Sequence, residues 1–271
     1  MRALRMDNGS TVKEPLLSKS DFAFVFILFL ATSFGFLILP TSQKATPTGG
    51  SIIGTVKFSG AAPKLEKAKT ISPECCGKTH SYDRLTIGKS GGVEYTLIYL
   101  ANPPAGKANF PAPTITQQNC GYSPHMAIAS RGANVTFVNK DPVLHNVHGY
   151  YFIGNDRSTA FNFAQPTIDQ SSSQQLRKPG MVNVECDAGH TWMNSWIWVT
   201  DNPYVAITKA DGSFSIDGLP PGTYTVVMWH EGWKIVDTQP GGRPTFSGAV
   251  VEQKQITVPA SGSANADFEL K

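Results

Sequence analysis

Apolar and polar positions alternate along most of this chain, with a period near two. Residues 51–58 read SIIGTVKF, β-branched and alternating, and this predicts a strand. The same pattern predicts strands over 85–87, 93–100, 114–117, 125–129, 134–139, 146–152, 174–177, 182–186 and 195–200. Lys89-Ser-Gly-Gly92 reads as a turn, 101–113 as a proline-rich loop and 157–166 as a loop rich in Asn and Phe. Short strands separated by turn signals predict an all-β chain built from sandwiches.

One segment breaks the pattern. Residues 22–39 form a run of 18 without a charge, the length at which a membrane-spanning helix is the default reading. It exceeds the apolar core of a secretory signal, and no small-residue cleavage motif follows it. Arg2, Arg5, Lys13 and Lys19 precede it, so the positive-inside rule places the N-terminus in the cytoplasm. The expected layout is a cytoplasmic tail (1–20), a single-pass anchor (21–40), a linker (41–50) and C-terminal domains on the periplasmic or extracellular side of the cell membrane. A cleaved signal peptide is the alternative.

Composition changes this picture little. Gly 25 and Pro 19 suit a turn-rich β-protein. The formal net charge of +3 shows no excess that would favour nucleic acid, and residues beyond the anchor are nearly neutral. Four cysteines are present: Cys75, Cys76, Cys120 and Cys186. In an exported, oxidising setting a disulfide is expected. Cys76 with Cys120 is one pairing, since Gly follows both. Cys75 with Cys120 is the other, and adjacent Cys75 and Cys76 do not bridge each other readily.

The chemistry concentrates in Cys186-Asp-Ala-Gly-His190-Thr-Trp-Met193. A thiolate, an imidazole and a thioether lie within eight residues, and His145-Asn-Val-His148 lies upstream. Two imidazoles, a thiolate and a weak axial thioether make a blue-copper site. Each residue alone has a plainer reading: a buried Cys is a small hydrophobe, and a Met beside Trp fills a core. Their order before an apolar strand favours soft-metal chemistry.

These residues resemble the cupredoxins, the plastocyanin-like copper proteins. The resemblance covers roughly 132–199. It implies copper as cofactor, a Greek-key β-sandwich over 51–202, and the ligands His145, Cys186, His190 and Met193. It also implies that Asn146 hydrogen-bonds the loop bearing the cysteine. Single-electron transfer between redox protein partners is the implied function. The alternative is a non-redox role in copper binding or delivery, or in binding a protein or glycan at the cell surface. The chain is not expected to be an enzyme: no Gly-x-Ser-x-Gly, His-Glu-x-x-His or phosphate-binding glycine loop occurs.

Alternation along a strand places His148 on the face opposite His145. His125 and His230 read as ordinary polar residues. Trp192, Trp196 and Trp198 are expected to surround Met193. From residue 203, the stretch running through Asp211-Gly212, Phe214, Ile216 and Pro220-Pro221-Gly222 to Tyr224 resembles the carboxypeptidase regulatory-like module, a smaller prealbumin-like sandwich over 203–271. Gly54, Gly60 and Pro63 resemble its first strand, so 51–58 is shared between two assignments, and residues 51–65 and 203–271 are expected to meet in space.

Overall fold

The computed structural model describes residues 49–153 and 156–271, and the expected tail and anchor lie outside the described residues. Among the described residues no helix is long and apolar enough to cross a membrane. The one helix there is a single turn, Pro73–Cys76. Everything else regular is strand.

Two sheets face each other to form the first sandwich. One runs in the order Asp156–Gln165, His145–Ile153, Gly180–Glu185, Asn194–Thr200 and Met126–Ser130. The other runs Ser171–Gln175, Asn134–Asn139, Thr114–Gln118 and Gly121–Ser123. Inward positions supply the core: Ile115, Val135, Phe137, Val147, Phe161, Val182, Val184, Ile197 and Val199. Burial of this apolar surface is the main force holding the sheets together.

The expected loop at 157–166 is instead a strand. Asp156–Gln165 pairs antiparallel with His145–Ile153 along its length. Phe161 is buried and Phe163 half-buried, flanking the exposed Asn162. That alternation serves a half-buried strand well, so Asn162 marks its solvent face rather than a turn. Phe161 also lies against Gly149 of the neighbouring strand, where any Cβ would come within 2.2 Å of the ring.

The second sandwich is assembled from both ends of the chain. Gly50–Phe58 pairs antiparallel with Ser213–Leu219 and parallel with Ser263–Asn265 and Phe268–Leu270. The facing sheet runs Val205–Ile207, Leu97–Leu100, Gly222–His230 and Val250–Val258. Residues 51–58 and the C-terminal segment therefore meet, as the resemblance of 51–58 to the module's first strand implies. Leu97–Leu100 pairs with Gly222–His230, and Leu85, Val93, Ile98 and Leu100 pack with Phe214, Ile216, Tyr224 and Val226. The first sandwich is thus set within the second, and Leu97–Leu100, which precedes it in the chain, pairs with the C-terminal strands.

Strand alternation decides the tryptophans too. Ile197 and Val199 face the first core, so Trp196 and Trp198 point the other way. They form a smaller apolar cluster with Leu97, Met126, Tyr99, Val205 and Trp229. Trp196 meets Trp229 edge-on at 5.1 Å, and Trp198 lies 4.9 Å from Tyr99. Only Trp192 stays beside Met193. The expected tryptophan shell around Met193 is therefore largely an inter-sandwich seam.

Candidate metal centre

The loop between Gly180–Glu185 and Asn194–Thr200 carries Cys186, His190 and Met193. Gly189 adopts φ +87°, a left-handed turn natural to glycine, and its Cα side is covered by Ile71. This folds the loop back so that His190 faces Cys186. His145 enters from the start of the adjacent strand.

Three donor atoms converge. The Nδ1 atoms of His145 and His190 are 3.1 Å apart. Cys186 Sγ lies 3.5 Å from His190 Nδ1 and 4.0 Å from His145 Nδ1. Bonds of about 2.0–2.1 Å from nitrogen and 2.3 Å from sulfur, as at zinc, would let one ion meet all three. The three residues are 0–1% exposed. Met193 is buried in the same core cluster, with its backbone N–H on the His190 carbonyl at 3.0 Å.

Surrounding groups hold the donors in place. The Asp141 carboxylate accepts from His145 Nε2 at 2.8 Å, which leaves Nδ1 free to face Cys186. The same carboxylate accepts the backbone N–H groups of Asn119 and Cys120 at 2.8 Å each. The backbone N–H of Asn146 donates to Cys186 Sγ at 3.3 Å. The Asn146 side chain does not reach that loop; it donates to Asn162 Oδ1 and the Phe163 carbonyl on the next strand. The link implied by the resemblance is therefore made by the backbone of Asn146.

Electrostatics keep the imidazoles neutral. Burial, with His145 alongside, lowers His190 to about 4. Burial lowers His145 as well, against the pull of Asp141. Burial raises the Cys186 thiol, opposed by the backbone N–H groups of Asn146, Ala188 and His190. Both ring lone pairs are thus available near neutral pH, and a bound cation would displace the thiol proton.

The remaining histidines sit elsewhere. His148 lies on the outer face, with Nδ1 2.6 Å from Asp187 and its ring stacked on Tyr150. His125 pairs with Glu231, and the Nδ1 of buried His230 lies 2.7 Å from the Glu231 carbonyl. Cys76 and Cys120 form a disulfide, and Cys75 is free. His145→Ala is expected to remove or recolour the copper spectrum, since one of three convergent donors is lost. His148→Ala should leave it nearly unchanged. Absorption spectra of the two copper-loaded variants decide the matter, and the reverse outcome would mean that this strand is read in the wrong register.

Sequence reasoning did not find the cover over the loop. Tyr82 Oη lies 3.1 Å from Thr191 Oγ1, and His80 stacks on Trp192. From a separate hairpin, Arg243 donates to the Cys186 carbonyl at 2.6 Å and pairs with Asp187. Arg243 sits in the connection of a hairpin, Ile235–Thr238 with Pro244–Phe246. Gly241-Gly242 before Arg243 is a turn signal that could have marked this hairpin, though not its target.

A sandwich with two imidazoles and a thiolate converging at one end is cupredoxin-like, and the chain couples this domain to a second β-sandwich module. Residues 175–266, about a third of the chain, match the family model described as polysaccharide lyase family 4, domain II. The chain is similar to a purple cupredoxin from Nitrosopumilus maritimus, at 20% identity, covering 32% of this chain and 98% of that one, with a TM-score of 0.28. It is similar to a reduced amicyanin mutant at 19% identity, covering 38% of this chain and 98% of that one, with a TM-score of 0.28. A copper-containing nitrite reductase from Thermus scotoductus SA-01 matches at 22% identity, covering 37% of this chain and 26% of that one, with a TM-score of 0.27. No curated protein sequence matches the chain.

Proposed function

We propose that this protein is a membrane-anchored, exported copper protein that passes single electrons between redox partners. The observation that carries the reading is the convergence of His145 Nδ1, His190 Nδ1 and Cys186 Sγ within 4.0 Å of one another in a buried pocket. Copper held there by His145, Cys186 and His190, with Met193 as a further sulfur donor, would supply a one-electron couple. The protein's part is to fix the donors. Asp141 orients His145, the Asn146 amide steadies the sulfur, and the apolar core excludes water. Little then has to move when the charge at the centre changes.

The rings also suggest a path outward. His190 meets Trp192 edge-on at 5.3 Å, and Trp192 stacks on His80 at 5.4 Å. His80 is half-buried, so the ring series runs from the centre toward solvent. Copper titration followed by optical spectroscopy and voltammetry tests the reading. A strong thiolate-to-copper band and a reversible potential are expected; a colourless protein would overturn it.

A second reading is copper storage or delivery without redox turnover. The near-complete burial of both imidazoles favours it, because neither ring edge meets a partner directly. Copper binding without a reversible potential would select this reading.

The anchor supports a location at the cell membrane, with residues beyond it on the periplasmic or extracellular side. The full-length protein is expected to stay in the membrane fraction after a high-salt wash, because an 18-residue apolar span binds through the hydrocarbon core and not through charge. Release into the wash, or a mature chain that starts after residue 40, would remove the anchor from the account.

A further inference from the structure

A second group of soft donors lies outside the centre described above. Cys75, Cys76 and Cys120 bring their sulfur atoms within 4.8 Å of one another. Cys76 and Cys120 are bonded, and the free Cys75 Sγ sits 3.8 Å from Cys120 Sγ. Three thiolates each about 2.3 Å from one ion, the metal–sulfur distance seen at zinc, would stand about 4 Å apart, close to the spacing that Cys75 and Cys120 already hold. Soft thiolate ligands suit Cu(I).

The disulfide also has a mechanical role. It ties the short helix Pro73–Cys76 to the hairpin of Thr114–Gln118 and Gly121–Ser123. The segment around that helix covers the metal loop: Ile71 lies over Gly189, His80 on Trp192, and Tyr82 at Thr191. Beneath it His145, Cys186 and His190 are closed off from solvent. The two cysteine groups are neighbours, since Cys120, Asp141 and His145 also hold donor atoms within 4.8 Å of one another.

We propose that Cys75, Cys76 and Cys120, once the disulfide is reduced, bind one Cu(I) and serve as the loading station for the buried centre. A thiol reductant supplies two electrons and two protons. The Cys76–Cys120 bond breaks, two thiols form and the reductant becomes a disulfide. Cu(I) then displaces thiol protons and binds the three sulfurs, with no change in its own oxidation state. The same bond cleavage frees the covering segment, so the station fills at the moment the buried ligands become reachable. The loading step rests on the copper reading above; the three-sulfur site does not.

Two measurements on the full chain test this. In a Cys186→Ser background, which lacks the thiolate of the buried centre, Cu(I) retention is titrated against bicinchoninate before and after opening the disulfide with a phosphine. One additional Cu(I) per chain is expected after reduction, and Cys75→Ser in that background should lose it while the disulfide still forms. No gain on reduction, or an equal gain without Cys75, overturns the site. In otherwise wild-type protein, metal-free chain is given Cu(I) with reductant and then oxidised with ferricyanide. Cys75→Ser should develop the thiolate-to-copper band several-fold more slowly and reach the same final intensity. Equal rates overturn the loading role. Absence of the band in wild type overturns both the blue-copper reading and the loading role, while the bicinchoninate result still decides the three-sulfur site.

Discussion

Cys186→Ser is expected to abolish the intense colour of the copper-loaded protein. The band arises from charge transfer between thiolate sulfur and copper, and Cys186 supplies the only sulfur within 4.0 Å of both imidazole Nδ1 atoms among the described His, Cys, Asp and Glu donors. A serine oxygen is harder and poorly matched to Cu(I). Some copper should remain on His145 and His190, so colour and stoichiometry separate. The fold should survive, because Cys186 is a small buried residue at the end of a strand whose pairing does not depend on its side chain. A variant that keeps the band would place the sulfur ligand elsewhere, and the free thiol of Cys75 would be the next one to test.

Glu231→Ala is expected to cost on the order of 3–5 kcal/mol, the usual penalty for stranding the partners of a buried charge. Glu231 follows the strand Gly222–His230 of the second sandwich and points into the seam. Its carboxylate takes Arg84 Nη1 at 2.5 Å, Trp196 Nε1 at 2.8 Å and Asn194 Nδ2 at 2.9 Å, and it also meets His125. Asn194 and Trp196 belong to the first sandwich, so one side chain ties the two together. Burial alone would raise this carboxyl; Arg84, His125 and Trp196 outweigh burial and hold it below its ordinary 4.5. The sign follows. The unfolded chain takes up the proton first as pH falls, so this contribution is present above about pH 4.5 and fades as pH drops through the lower folded value. Urea unfolding of the variant and the parent at neutral pH measures the loss, and a difference under about 1 kcal/mol would place the coupling of the sandwiches in the tryptophan seam instead.

Both effects depend on contacts of different legibility. The candidate metal donors lie close together in sequence, apart from His145, and their chemistry is distinctive. Alternation was enough to separate His145 from His148, because a strand has only two faces. The Glu231 network was not legible. Arg84, His125, Asn194 and Glu231 are spread over almost 150 positions, and each alone reads as a surface polar residue. The same limit hid Arg243, which reaches the Cys186 carbonyl from a hairpin more than 50 positions further along the chain.

The sequence by itself determined that the described part is β-structured, because alternation with β-branched residues leaves few other ways to bury one face. It pointed to His145, Cys186 and His190, whose donor atoms the structure brings together. The resemblance of Gly54, Gly60 and Pro63 to the first strand of the C-terminal module also anticipated the junction of 51–58 with that module. Tertiary structure decided which strands belong to which sandwich, because Leu97–Leu100 is apolar enough for either core and its partner lies more than 100 residues away. It decided that Trp196 and Trp198 face the seam, that Cys76 rather than Cys75 bonds Cys120, and that the metal loop is roofed by residues from two distant segments. Each of these is a choice between locally equivalent alternatives, and only long-range packing breaks the tie.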